Sequence, residues 1–330
     1  MQLRPALNSA IERLTSLRVP SPRMNAELLL MFTLDCDRAY LYGHPERVLT
    51  ADELRRYDEA VARRATGVPA QYITGHQEFW GMDLIVSPAV LIPRPETEHV
   101  VEKVLELAGS PDAVRNGIYH GGHGVRRGSP SGPGPGHSSS GQSGPRESGS
   151  AGEARKLVIA DVGTGSSAIA LALARELPAA KIHATDISAA ALEVARANAA
   201  RHVLSSRIEF RETDLLAGFA AQSLDFVVSN PPYVGESEED RVQLEVRKFE
   251  PRNAVFAGPT GLEVIERLIP QAHEALREDG WLVFEISGTI AEGVRQLLSD
   301  WSEVSITNDL QGIPRVARAR KPAGGSCAER

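Results

Sequence analysis

The greater part of this 330-residue chain predicts an α/β fold, a largely parallel sheet covered by helices on both faces, with a small helical domain ahead of it. Three patterns lead there. From Leu157 onward, apolar strand-like runs alternate with helix-like ones. The first of those strands enters a glycine-rich loop, Gly163-Thr164-Gly165-Ser166-Ser167, whereas residues 1–70 carry only helical periodicity. The length accommodates two ordinary domains, and 42% hydrophobic with 24% charged residues marks a globular chain rather than a disordered one.

In the N-terminal domain, 1–70, Leu3, Leu7, Ile11, Leu14 and Leu17 recur every three or four residues and put one apolar stripe on a first helix. Ser21-Pro22 offers an N-cap with proline at the first helical position, and Ala26 to Phe32 supplies the next apolar run. Thr50 and Glu53 have capping-box spacing, and Gly67 closes that helix. Arg55, Arg56, Arg63 and Arg64 read as a solvated helix face, the alternative being a local basic surface for an acidic partner or ribosomal RNA. A linker, 71–98, follows. Tyr72 to Pro93 carries Phe79-Trp80-Gly81 and Leu84-Ile85-Val86 around a turn and predicts a β-hairpin. Arg94-Pro95-Glu96-Thr97-Glu98 then opens a helix, Arg94 pairing with Glu96 or Glu98 as surface charge.

The third region, 99–330, begins with an insert at 109–152 rich in Gly, Ser and Pro. Too few apolar side chains exist there to offset the entropy of ordering it, so it reads as a flexible surface insertion. Its His120, His123 and His137 have no preorganised spacing, and no metal site is expected. Strands are expected at Leu157–Ala160, Lys181–Thr185, Arg207–Arg211, Leu224–Val228, Trp281–Ile286 and Glu303–Thr307, with helices at Leu262–Leu276 and Ile290–Ser299. Glu236 to Asp240 reads as a solvated loop, and Arg247, Glu250 and Arg252 as structural ion pairs.

Candidate ligand groups follow the strands. The glycine loop has Asp161 two residues before Gly163 and stops at G-x-G, which suits a nucleotide-like ligand without a pyrophosphate. Asp186, about 20 residues on, is placed to take ribose hydroxyls, and Asp214-Leu215 is placed for an adenine amine and ring. Helix capping is the competing role for either aspartate. Asn230-Pro231-Pro232-Tyr233 follows an apolar strand into a turn. Its prolines keep carbonyls out of a regular ladder, so the Asn230 side-chain oxygen and the Pro231 carbonyl are free to accept from a planar NH2 group, with the Tyr233 ring over its face. No apolar run approaches the roughly 20 residues of a membrane helix, the first residues lack a secretory pattern, and Cys36 and Cys327 lie too far apart to suggest a disulfide framework. The cytosol is the expected compartment.

The run Gly67 to Gly75, Glu78-Phe79-Trp80-Gly81, Leu91 to Glu98, Asp161 to Leu173, Asp186-Ile187-Ser188, Ser229 to Tyr233 and Glu245 to Pro251 resembles the protein-(glutamine-N5) methyltransferases, in particular those acting on peptide chain release factors. The resemblance implies a Rossmann-like class I methyltransferase domain joined by a hairpin to a helical substrate-recognition domain. It implies S-adenosylmethionine as methyl donor and the glutamine of a Gly-Gly-Gln loop as acceptor. Carried over by position, the methionine and loop contacts fall on Asp161, Gly163, Thr164, Gly165, Ser166 and Ser167, the ribose contact on Asp186, and the adenine contacts on Asp214 and Leu215. Asn230, Pro231, Pro232 and Tyr233 take the target amide, Asn230 also bordering the donor, and the stretch Arg94 to Glu98 falls beside the donor pocket, an organising role that competes with surface charge for Arg94. A monomer without a stable nucleic-acid partner is expected. Two departures stand out: Ser167 where the family has glycine, and the turn Asp309 to Arg315. A ribosomal-protein glutamine methyltransferase shares the chemistry. An adenine-N6 DNA methyltransferase shares Asn-Pro-Pro-Tyr, but a net charge of −7 and the lack of a basic recognition domain oppose it. A nicotinamide oxidoreductase is disfavoured by the loop pattern.

Overall fold

The computed structural model describes residues 1–109 and 156–323. The readings made of the insert and its histidines, and of Cys327, lie outside the described residues.

Helices α1 (Leu3–Ser16), α2 (Pro22–Leu34), α3 (Arg38–Gly43), α4 (Ala51–Ala65) and α5 (Ala70–Thr74) build the N-terminal region. Leu3, Leu14, Leu29, Leu30 and Tyr57 are its fully buried core. The capping box forms: Glu53 N–H donates to Thr50 Oγ1 at 3.2 Å and Thr50 N–H to Glu53 Oε2 at 2.9 Å. Ser21 behaves differently from its expected role. Its backbone sits in the left-handed region (φ 48°) and its hydroxyl caps nothing; Pro22 and the Asn25 amide, which donates to Pro20 O (2.8 Å) and Ser21 O (3.1 Å), shape the start of α2. Arg64 also departs from the solvated face. It is buried, and its guanidinium donates to Asn25 Oδ1 (2.7 Å), Val68 O (3.3 Å) and Glu245 Oε1 (2.5 Å).

The hairpin is shorter than expected, β1 (His76–Phe79) and β2 (Met82–Ile85), because Tyr72 belongs to α5 and donates its hydroxyl to Val90 O at 2.6 Å. Trp80 and Gly81 both take positive φ (53° and 65°), the tight two-residue turn that matches strand twist. A helical turn at Pro95–Thr97 leads into α6 (Glu98–Leu107). Arg94 pairs with neither Glu96 nor Glu98. It reaches Glu250 at 2.5 Å, and the same carboxylate accepts from Ile92 N–H at 3.2 Å, tying this segment to the far side of the site.

The remaining elements are β3 (Val158–Val162), α7 (Ala168–Glu176), β4 (Lys181–Asp186), α8 (Ala189–Arg201), β5 (Ile208–Glu212), β6 (Leu224–Ser229), β7 (Val234–Gly235), α9 (Leu244–Phe249), α10 (Arg252–Val255), β8 (Phe256–Gly258), α11 (Glu263–Ala275), β9 (Leu276–Glu285), α12 (Ala291–Leu297), β10 (Ser302–Asn308) and β11 (Pro314–Arg320). Seven strands form one sheet in the order β10-β11-β9-β6-β3-β4-β5. The five from β9 to β5 are parallel. β11, which periodicity had not indicated, inserts antiparallel between β9 and β10. Side chains alternate between the faces: Ile159, Phe226 and Val228 pack toward α6 and α7, whereas Ala160, Val162, Val227 and Leu282 pack toward α11 and α12. Glu236–Arg241 forms a 3-10 turn rather than a plain loop. Arg247, Glu250 and Arg252 do make ion pairs, each with a separate partner: Asp240, Arg94 and Glu239.

The chain runs outward from β3 through β4 to β5, then returns to place β6 on the other side of β3. That reversal opens a crevice at the carboxyl ends of β3 and β6, where the glycine loop and the Asn230 turn leave from paired residues, Val162 and Ser229. One buried side chain braces the glycine loop from behind. Asn198 of α8 accepts from Ile85 N–H (2.6 Å) and donates to Ile85 O (2.9 Å) and Ser166 O (3.0 Å), joining hairpin, helix and loop.

Candidate active site

A cavity of about 350 Å³ lies in the crevice. It is lined by Asp161, Gly163, Thr164, Gly165 and Ser166 from the end of β3, Asp186 from β4, Asp214 and Leu215 after β5, and Asn230 and Pro232 after β6. Asp161 is buried, and its Oδ2 accepts from Thr164 Oγ1 (2.6 Å) and Ala170 N–H (3.1 Å); burial outweighs these bonds and raises its pKa to about 7. Asp186 accepts from Gly165 N–H and Ser188 N–H, both at 2.9 Å, and burial pushes its pKa up. Capping of α8 falls instead to Ser188, whose hydroxyl accepts from Ala191 N–H at 3.2 Å. Asp214 is ion-paired to Arg267 of α11, a cavity residue that the sequence did not single out. Leu215 holds a positive φ of 52° while its carbonyl accepts from Thr185 Oγ1 at 3.0 Å.

Ser167 does not line this cavity. It sits at the entrance of α7, fully buried, with φ 70° and a hydroxyl that has no hydrogen-bond partner.

Behind Asn230 and Pro232 is a second cavity of about 520 Å³, lined also by Pro231, Tyr233, Arg94, Gln243, Val246, Glu285 and Arg315. Leu91, Asn230, Pro232 and Ala254 line both cavities and form the partition between them, Asn230 and Pro232 supplying its polar turn. The turn is held tightly. Asn230 Nδ2 donates to Thr97 Oγ1 (3.2 Å), Thr97 donates to Glu285 Oε2 (2.6 Å), and the Tyr233 hydroxyl donates to Glu285 Oε1 (3.0 Å). Burial raises the pKa of Glu285 and, with the neighbouring carboxylate, that of Tyr233. Gly261 backs the turn at φ 88°, where a Cβ would stand 2.6 Å from Tyr233 O, so no larger residue fits. Thr97 and Glu285 were missed by reasoning from sequence. The available signal was a lone carboxylate ending the apolar run Leu282-Val283-Phe284. At the departed turn, Asp309 accepts from Gln311 N–H, Ile313 N–H and Arg315 Nε, each at 2.9 Å, and so shapes the β10–β11 connection beside the second cavity. Among the described residues no cluster could hold a metal ion, and no helix is long and apolar enough to cross a membrane.

Residues 5–75 match the PrmC N-terminal domain and residues 151–248 the methyltransferase small domain. The release factor glutamine methyltransferase of Koribacter versatilis is 49% identical over 98% of this chain and 99% of its own. That of Moorella thermoacetica is 39% identical over 90% and 89%, and that of Chlorobaculum tepidum 38% over 94% of each. Among solved structures, the hMettl16 catalytic domain in complex with MAT2A 3′UTR hairpin 6 superposes with a TM-score of 0.50, covering 79% of this chain and 81% of that one. At 17% identity that likeness shows the fold alone, a class I methyltransferase sheet. With a relative 49% identical along nearly its whole length, the chain belongs to the release factor glutamine methyltransferases, which use S-adenosylmethionine as methyl donor.

Proposed function

We propose that this protein methylates the side-chain amide nitrogen of the glutamine in the Gly-Gly-Gln loop of bacterial release factors. The observation that carries the proposal is the shared partition. Asn230 and Pro232 face both cavities, so a donor in one and an amide in the other meet at the same residues. The donor set suits S-adenosylmethionine. Asp161 is a carboxylate for the methionine end, Asp186 for the ribose hydroxyls, and Asp214 with Leu215 for the adenine. Gly163 to Ser166 supply backbone, and beside both Gly163 and Gly165 the space that a Cβ would fill is open. Ser167 supports the loop rather than touching the ligand.

When bound, the donor supplies a sulfonium-activated methyl group. The protein must make a poor nucleophile reactive, since a carboxamide lone pair is delocalised into its carbonyl. Acceptors at Asn230 Oδ1 and the Pro231 carbonyl, aligned on the two N–H groups, favour developing positive charge on nitrogen, and Tyr233 covers the amide plane. Alignment across the partition can be worth roughly 7–11 kcal/mol. The second cavity is bordered by Gln243 and Val246 around α9, which Arg64 ties to the N-terminal helices, so those helices are suited to seat the protein substrate. One chain builds both cavities, so a monomer is sufficient for the chemistry. The enzyme works in the cytoplasm beside its translation-factor substrate, and its net charge of −7 opposes broad electrostatic binding of nucleic acid.

Labelled donor offered to purified release factor, ribosomal protein and DNA tests the proposal. One methyl on the Gly-Gly-Gln glutamine is expected. Asn230→Ala should lower kcat about a hundredfold while donor affinity, read by calorimetry, is largely kept. Label only on ribosomal protein or adenine, or robust turnover by Asn230→Ala, would overturn it.

A further inference from the structure

We infer that Glu285, acting through the hydroxyl of Thr97, determines which end of the Asn230 amide faces the acceptor, and that Glu285 is therefore a positioning residue. The inference rests on the function proposed above. A side-chain amide is nearly symmetric in shape but opposite in chemistry at its two ends, one accepting and the other donating. Asn230 receives a substrate N–H only if its oxygen faces the second cavity. Rotated by half a turn, it would set NH2 against NH2.

Thr97 makes that choice. A threonine hydroxyl has a single hydrogen and can either donate to Asn230 or accept from it. That hydrogen goes to Glu285 Oε2 at 2.6 Å. Only oxygen lone pairs then remain for Asn230, and these select its Nδ2, 3.2 Å away. The other oxygen of Glu285 accepts from the Tyr233 hydroxyl at 3.0 Å. One side chain that accepts at both oxygens thus sets the hydrogen-bond direction at both ends of the acceptor turn. Its position supports this role over a packing one. Glu285 is 1% exposed and faces away from the apolar cluster of Phe284 and Ile286, toward Thr97, Tyr233 and the second cavity, where packing alone would not require the desolvation cost of a carboxyl group.

The experiment measures kcat on release factor, acceptor KM and donor Kd for Glu285→Gln, Thr97→Val and Thr97→Ser. Glutamine brings a donor into the relay, so at least one hydroxyl is no longer obliged to donate. Valine removes the relay but keeps the shape. Both should lose about tenfold or more in kcat with donor Kd within about twofold of the parent, and Thr97→Ser should restore turnover to within about threefold. In an Asn230→Ala background, Thr97→Val should cost nothing further, because the group it orients is gone. If Glu285→Gln does not fold, the Thr97 series and this double variant decide. Unimpaired kcat in Thr97→Val, equal damage from serine and valine, or additive losses with Asn230→Ala would overturn the relay. A parent enzyme that leaves release factor unmodified would instead sink the functional proposal itself.

Discussion

Ser167 combines two local penalties. Its left-handed backbone, φ 70°, costs a residue with a Cβ roughly 1–2 kcal/mol, and its buried hydroxyl lacks a partner. Ser167→Gly removes both and adds back about 0.5–1 kcal/mol of glycine chain entropy. The variant should therefore be more stable by about 1 kcal/mol, a rise in Tm of about 2–4 °C, with donor affinity equal or tighter. A lower Tm in thermal denaturation would show that glycine's freedom dominates. Serine at this position was visible in the sequence as a departure, but its left-handed backbone and unmet hydroxyl were not. Thr97 and Glu285 were hidden for a related reason. Each is unremarkable in its own element, and only the meeting of the turn before α6 with the end of β9 makes them neighbours.

Between elements, Arg64 joins α4 to α2 and α9. Breaking a buried ion pair by removing one partner costs about 3–5 kcal/mol, but Glu245, its partner, is 23% exposed and can partly rehydrate, so the lower end applies. Arg64→Met keeps much of the volume. It should lower Tm by several degrees and raise the acceptor KM more than the donor Kd; a variant as stable as the parent would mean that the helices are held by apolar packing alone. The buried place of Arg64 was legible. Tyr57, Ala60, Val61 and Arg64 fall on one helical face and are all buried, yet the run of arginines suggests solvent. The parallel strands and the capping box were equally legible, because apolar runs and cap spacing are local signals. β11 was not. Its Val316, Ala317 and Ala319 are buried among three arginines, too little apolar surface to announce a strand, and its antiparallel insertion depends on β9 and β10 offering their edges.

Across the whole molecule, buried acids and the buried His183 oppose one another as pH changes. Asp161, with its pKa raised to about 7, holds a proton in the folded state that the unfolded chain has lost. Its contribution to stability therefore falls as pH rises from about 4 to about 7; Asp186 and Glu285 act in the same direction. His183, lowered to about 4 by burial, stays neutral where the unfolded chain is protonated, so its contribution rises with pH up to about 6.5. Asp161→Asn deletes one falling contribution, and its stability should climb from pH 5 to pH 7 more steeply than the parent's, by at most about 1.4 kcal/mol per pH unit. Parallel curves in the two proteins would refute the raised carboxyl. Asn198 has a different consequence at this scale. A two-stranded hairpin has outer edges on which a foreign strand can grow, a common start to aggregation. At Ile85 the N–H and the carbonyl are both occupied by the Asn198 amide, so the rung that an incoming strand would need there is filled from within the fold.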